Sequence, residues 1–202
     1  MRHLKSNLFT LLFFLNLGVY YSELNLKDFK SPIEWNIIQE GDIEIKWTNY
    51  QGFPICKVSS SLPYSIEPIA KIIEDVEHYP KVFRRIHEVK ILGENTVHIM
   101  LDMPFFLADR DYVIKHKKSR KDSEWEFSFV SGNHKNAPLN KNYIRLINAA
   151  GKWELSPKNQ NETLLSYTWN GELLGDFPDF ALQRAWKTQG NEIIQWITYA
   201  LK

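Results

Sequence analysis

At 202 residues the chain is long enough for one domain with a full hydrophobic core and short for two. Apolar residues make up 44% and aromatics 14%, which excludes a disordered chain and predicts a core rich in large rings. Lys plus Arg (25) nearly balances Asp plus Glu (24), so no global field favours a polyanion, and no nucleic-acid partner is expected. The single cysteine, Cys56, rules out a disulfide within the chain and a cysteine-rich metal site. It reads as a small buried hydrophobe; the alternative, a reactive thiol, has no activating pattern around it.

Residues 1–22 read as an export signal. Arg2, His3 and Lys5 give a positive start, and an apolar run from Leu8 to Tyr21 is interrupted only by Thr10, Asn16 and Gly18. That length suits a secretory segment and is short for a comfortable membrane span. Ser22 is small enough to precede a cut, whereas Tyr20 is bulky for its place, so an uncleaved N-terminal anchor stays open. Export means the periplasm in a Gram-negative cell and secretion otherwise. Residues 23–30 are polar and read as a loose linker, leaving 31–202 as the domain.

Ser31, Pro32, Ile33 and Glu34 have the order of an N-cap, a first-turn proline and a short helix through Ile38. The period then changes to two: Ile43, Ile45 and Trp47 alternate with Asp42, Glu44 and Lys46, a half-buried strand. A turn at Gln51 to Pro54 leads to a second strand, Ile55 to Leu62. Pro63 to Phe83 returns to helical spacing, with Ile66, Ile69, Ala70, Ile73 and Val76 on one face and Pro80 to end or bend it. Strands follow near 87–93, 96–103, 110–118, 124–131, 143–149, 151–156 and 162–172, spaced as in an antiparallel meander. A long helix begins near Asp176 to Asp179. Leu182, Trp186, Gly190, Ile193, Ile197 and Leu201 form its stripe. Gly190 on that stripe is explained equally by close helix–sheet packing or by clearance for a ligand.

This order of elements, with several spaced motifs, resembles the START (StAR-related lipid-transfer) domains and the wider group that includes polyketide cyclases. The similar stretches are Glu74 to Pro80, Pro104 with Asp109 to Val113, Ile144-Arg145 with Gly151, Trp153, Leu155 and Pro157, and Thr163, Tyr167, Gly175 and Pro178. The resemblance runs from about Trp35 to the C-terminus. It implies an α+β helix-grip fold, in which a curved antiparallel sheet wraps a long C-terminal helix around a hydrophobic cavity. It also implies a lipid or other hydrophobic small molecule as ligand, with the loop Met103 to Ala108 as a gate. Phe105 and Phe106 at that loop's tip then cover the cavity mouth or make transient membrane contact; a tight core corner is the alternative.

Strand parity selects the residues that face inward. Ile99 and Leu101 share a face with Val97 and Met103. Tyr112, Ile114 and His116 share one with Arg110, and Phe127 shares one with Trp125 and Phe129. With Tyr167 and Trp169 of the last strand, the helix stripe Leu182, Trp186, Gly190, Ile193 and Ile197, and loop residues Phe105 and Phe106, these make up the candidate lining. Arg145 is the candidate head-group partner. Arg110 is a weaker one, since a salt bridge with Asp75 or Asp111 explains it as well. In sterol-binding relatives an acidic–basic pair sits in the tunnel; the matching positions here hold Val97, or a neighbour, and His116, which argues against sterol specificity.

The histidines are scattered singly and form no His-Glu-x-x-His pattern, and Gly-x-Ser-x-Gly and phosphate-binding glycine loops are absent from the sequence. No metal, cofactor or catalytic residue is therefore expected, and a monomer is. Two alternatives remain. One is a cyclase-type enzyme with His116, Tyr112 and Arg145 as proton carriers. The other is a ligand-free scaffold whose interior is filled by Trp125, Trp153, Trp169 and Trp186.

Overall fold

The computed structural model describes residues 24–26, 29, 34–104 and 107–202. The strands are β1 (Asn36–Gln39), β2 (Ile43–Tyr50), β3 (Phe53–Leu62), β4 (Ile86–Gly93), β5 (Thr96–Leu101), β6 (Asp109–Lys121), β7 (Glu124–Ser131), β8 (Tyr143–Arg145), β9 (Ala150–Asn159) and β10 (Glu162–Asn170). The helices are α1 (Ile66–Glu74), the single turn α2 (Tyr79–Val82) and the long α3 (Leu182–Ala200). One sheet runs β1-β2-β3-β10-β9-β7-β6-β5-β4. Its antiparallel pairs put the odd-numbered residues of β2, β5, β7, β9 and β10 on the concave face with the even-numbered residues of β3 and β6. One row across that face reads Ile45, Val58, Tyr167, Trp153, Phe127. The helix-grip architecture expected from the order of elements is the one observed.

Four local expectations change. Residues 36–39 form an edge strand on β2 where a short helix was expected; Ser31, Pro32 and Ile33, which carry the helix-start signal, lie outside the described residues. A four-residue apolar–polar run has no decisive period of its own, so pairing with β2 decides it. Nor is residues 23–30 simply a loose linker: Leu24, Leu26 and Phe29 are buried against Ile55 and Ala150 on the convex face, with Phe29 edge-on to Trp35 and Tyr50. Burying those three side chains contributes about 1.5–3 kcal/mol each. The long helix over 63–83 is instead two pieces. α1 stops at Asp75, and Pro80 lies in the first turn of α2, where its missing N–H is no loss. Finally, 143–149 is not a meander strand: β8 is three residues long and pairs in parallel with the first residues of β6, because β7 pairs with β6 only from Ile114 onward.

α3 lies across the concave face. Trp186 packs on Trp47 and its indole N–H donates to the carbonyl of Gly171 at 2.8 Å. Gln39 and Asn191 exchange amide hydrogen bonds that tie β1 to the helix. At Gly190 a Cβ would stand 2.8 Å from Cδ1 of Ile45 and 3.4 Å from Cβ of Val58, so close packing on β2 and β3 accounts for this glycine, not ligand clearance. Gly190→Val is expected to lower stability by about 1–3 kcal/mol through overpacking, with Ile45→Ala in the same chain recovering part of the loss. Thermal unfolding of the two variants checks this; an unchanged midpoint in Gly190→Val contradicts it. Among the described residues no helix is long and apolar enough to cross a membrane.

Candidate ligand cavity

Between the concave face and α3 lies a cavity of about 360 Å³. Its floor is aromatic. Trp153, Tyr167 and Trp169 stack in sequence, with ring centroids 3.9 and 5.1 Å apart, because Trp153 and Tyr167 are direct cross-strand partners and Trp169 follows two residues on. Phe127 and Phe129 of β7, Tyr112 and Ile114 of β6, and Ile99 and Leu101 of β5 extend it. Tyr79 and Phe83 close one side and Trp196 of α3 another. Burial pushes the phenols of Tyr112 and Tyr167 well above their ordinary pKa, so both stay protonated. Neither forms a hydrogen bond with the described residues, and the buried indole N–H of Trp169 has no partner among them either.

The roof differs from the stripe read in the sequence. Ala181, Arg184, Ala185, Thr188 and Gln189 face the cavity, and only Ile193 belongs to both sets. Leu182, Trp186, Gly190 and Ile197 belong instead to the core beside the cavity. The most apolar stripe of a helix goes where burial is complete, which here is the tight contact with β2 and β3. The small and polar neighbouring stripe is left over the open space.

Of the sixteen positions proposed for the lining, Ile99, Leu101, Tyr112, Ile114, Phe127, Tyr167, Trp169 and Ile193 border the cavity. Phe105 and Phe106 lie outside the described residues. His116 is beyond the cavity's edge, its ring stacked on Phe127 at 5.1 Å; partial burial lowers its pKa and favours the neutral imidazole. Arg145 is on the opposite side of the sheet. Its parallel pairing with Asp111 turns both side chains to the convex face, where the guanidinium grips the Asp111 carboxylate at 2.8 and 2.7 Å and His98 joins at 2.7 Å. Burial by itself would raise the Asp111 carboxyl, but hydrogen bonds from His98 and Arg145 and the guanidinium charge hold it below its ordinary value.

A carboxylate with a depressed folded pKa contributes stability that is complete above its unfolded value of about 3.9 and fades as pH falls through the lower folded value. Asp111→Asn is accordingly expected to lose roughly 3 kcal/mol at neutral pH, because it leaves a buried guanidinium unpaired. Its stability is also expected to depend less steeply on pH below about 4 than that of the wild type. Urea midpoints at pH 7, 4 and 3 measure both effects; parallel curves for the two proteins contradict the assignment.

The mouth is bordered by the described residues between β5 and β6 and by the segment from Gly171 to Pro178. Met103, Pro104, Leu173, Leu174 and Phe177 border the cavity there. Successive left-handed residues, Leu174 (φ 50) and Gly175 (φ 62), turn the chain from β10 toward α3; a Cβ at Gly175 would also collide with Ile144. The two lips are joined by Arg110. Fully buried, its guanidinium donates to the carbonyl of Ala108 on one lip and to Leu173, Leu174 and the Asp176 carboxylate on the other, the last three at 3.1, 3.0 and 3.0 Å. Asp176 also accepts from the Ala108 N–H. Neither Asp75 nor Asp111 is the partner of Arg110.

The polar groups on the cavity wall are few. Arg85 is held in a two-pronged pair by Glu192, at 2.6 and 2.8 Å, and Asp102 pairs with His87 at 2.7 Å. Asn148, Asn170 and Glu172 form a third group, in which both amides donate to the same carboxylate oxygen at 2.9 and 3.0 Å. The sequence reading missed this group; its three residues share no period, with Asn170 closing the last strand, Glu172 just past it and Asn148 in the segment before β9.

A curved sheet closed by one long helix over an apolar cavity, with a two-lipped mouth, defines a helix-grip domain. No family model matches the chain. An uncharacterized protein of Pseudomonas aeruginosa, PA1579, is 22% identical over 154 residues, 73% of this chain and 76% of that protein. Among solved structures, a STAR-related lipid transfer protein from Xanthomonas axonopodis superposes with a TM-score of 0.72 at 16% identity, over 83% of this chain and 98% of that one. Human StAR-related lipid transfer protein 5 gives 0.75 at 13% identity, over 85% and 88%. The Zhui aromatase/cyclase from Streptomyces sp. R1128 gives 0.50 at 14%, over 72% and 92%. The fold is the one shared by START domains and the related cyclases.

Proposed function

We propose that this chain binds one amphiphilic, lipid-like molecule in the cavity and exchanges it with a membrane through the mouth. The observation that carries the reading is the contrast between floor and roof. The floor is a continuous aromatic and aliphatic surface, whereas the roof carries Arg184, Thr188 and Gln189 beside two alanines. An apolar body with a polar edge matches such a lining. The names of the Xanthomonas and human neighbours, lipid transfer proteins, support the same reading. Exchange through the mouth is supported by Phe180, which is 92% exposed immediately before Ala181 at the cavity's rim. A large exposed ring at a cavity mouth suits contact with a bilayer.

Binding is favoured over proton-transfer chemistry by where the acid–base pairs stand; Glu172 on the wall is held by two amides and has no acid–base partner among the described residues. His98, Asp111 and Arg145 are buried on the far side of the sheet, and the Arg85–Glu192 and His87–Asp102 pairs are partly exposed at the cavity's edge. The cavity itself speaks against a scaffold filled by its own aromatics. Export of the chain, read from Leu8 to Tyr21 outside the described residues, is part of the same proposal; cell fractionation with N-terminal sequencing tests it, and an intact chain in the cytosol overturns it.

Titration with single-chain lipids and isoprenoid alcohols, followed by the fluorescence of Trp153 and Trp169, tests the binding. Saturable one-to-one quenching by at least one class is expected. Absence of any saturable response across the panel contradicts the reading.

A further inference from the structure

We propose that Glu172 is the acceptor for the ligand's polar end, so that the cavity selects amphiphiles whose head is a hydrogen-bond donor, a hydroxyl or an amine, over those with an anionic head. The proposal rests on the binding reading above. Glu172 borders the cavity at the end of β10 and is half-buried. Its Oε2 accepts from the amides of Asn148 and Asn170, and its own backbone N–H donates to Oδ1 of Asn170 at 3.1 Å. Asn170 Nδ2 also donates to the backbone carbonyl of Asn148 at 2.9 Å, which fixes the Asn170 amide. The carboxylate is thus held through Oε2 by two amide donors, while Oε1 accepts nothing from the described residues.

Of the two carboxylates on the cavity wall, Asp102 is paired with His87; Glu172 has no cationic partner within 4 Å among the described residues. A positioned carboxylate with one free oxygen and no neutralising cation attracts a donor and repels an anion. The wall's cations do not reverse this. Arg85 is committed to Glu192 on both prongs. Arg184 borders the cavity from the roof but is exposed on the first turns of α3, so solvent screens its charge, whereas Glu172 is half-buried.

The test uses three probes on one dodecyl chain, namely dodecan-1-ol, dodecylamine and dodecanoate, bound at pH 7 to the delipidated full chain and to Glu172→Gln. The expected order is amine first, alcohol second and carboxylate at least tenfold weaker than the amine. Glu172→Gln, which keeps the shape and one acceptor, is expected to weaken the amine at least tenfold and to strengthen dodecanoate. Its melting temperature should match the wild type, and the headgroup order in the wild type stands as evidence independent of the variant. Equal affinities for the three probes, tighter binding of dodecanoate, or an unchanged amine affinity in Glu172→Gln overturns the role of Glu172 and leaves the cavity's binding function standing. Failure of all three probes to bind counts against the binding function itself.

Discussion

Replacing Arg110 with methionine is expected to destabilise the domain by about 3–5 kcal/mol and to speed ligand release. The side chain is fully buried, and its guanidinium is the donor for backbone carbonyls on both lips of the mouth. Methionine keeps the apolar stem but leaves the carbonyls of Ala108, Leu173 and Leu174 without that donor, each at about 1–3 kcal/mol where solvent cannot replace it. For a chain of this size the melting midpoint should fall by roughly 10 °C. Arg110→Lys separates charge from geometry, because one ammonium cannot serve four acceptors arranged around a planar fork. It should recover less than half of the loss. Hydrogen exchange gives the local readout: amides of Met103, Leu107, Ala108 and 171–178 should lose protection beyond the global change. Uniform loss across the sheet would mean that Arg110 supports the core and does not fasten the mouth.

A second substitution, Ala185→Trp, is expected to weaken ligand binding on the order of a hundredfold while leaving the fold intact. Ala185 borders the cavity on the small-residue stripe of α3, one turn from Ala181 and Gln189. An indole there occupies space above the Trp153–Tyr167–Trp169 stack. Each methylene kept out of the cavity forfeits about 0.8 kcal/mol. Displacing four of them therefore weakens binding on the order of a hundredfold. Because the added ring fills existing space, the melting midpoint should hold or rise. Trp186→Ala makes the contrast: it removes packing from the neighbouring stripe, so it should destabilise the domain by about 3–5 kcal/mol while changing the cavity's selectivity little.

The contrast between those neighbouring residues also explains what the sequence could and could not disclose. Alternation in Ile99–Leu101, Tyr112–Ile114 and Trp125–Phe127–Phe129 is a local property of each strand, and it pointed to the concave face of the sheet directly. The run Asp176 to Asp179 likewise marked the entry to α3, and the resemblance added Gly175 to it. Which stripe of α3 would face the cavity is not local. The stripe richest in apolar residues is drawn to the tightest packing, so it marks where the cavity is not. The signal that could have been used is the adjacent run of Ala181, Ala185, Thr188 and Gln189, small and polar on a helix expected to cover an opening.

Arg145 and Arg110 failed to disclose their roles for a different reason. The direction of Arg145 depends on β8 pairing in parallel with β6. Arg110 finds its acceptors at residues 173, 174 and 176, more than sixty positions away. Glu172 was invisible in part for the same reason, since beside its local partner Asn170 it is held by the amide of Asn148, twenty-four positions away. At the N-terminal end of the domain, the order Ser31-Pro32-Ile33-Glu34 is a valid local helix signal, but β1 is fixed by its partner β2.

Native mass spectrometry of the full chain, purified without detergent from its own cells, tests the central claim most directly. The account predicts a species heavier than the polypeptide by one amphiphilic molecule, lost on solvent extraction, regained with dodecylamine and depleted in Ala185→Trp. A spectrum holding the bare polypeptide alone, with no uptake of any single-chain lipid by the wild type, would contradict it.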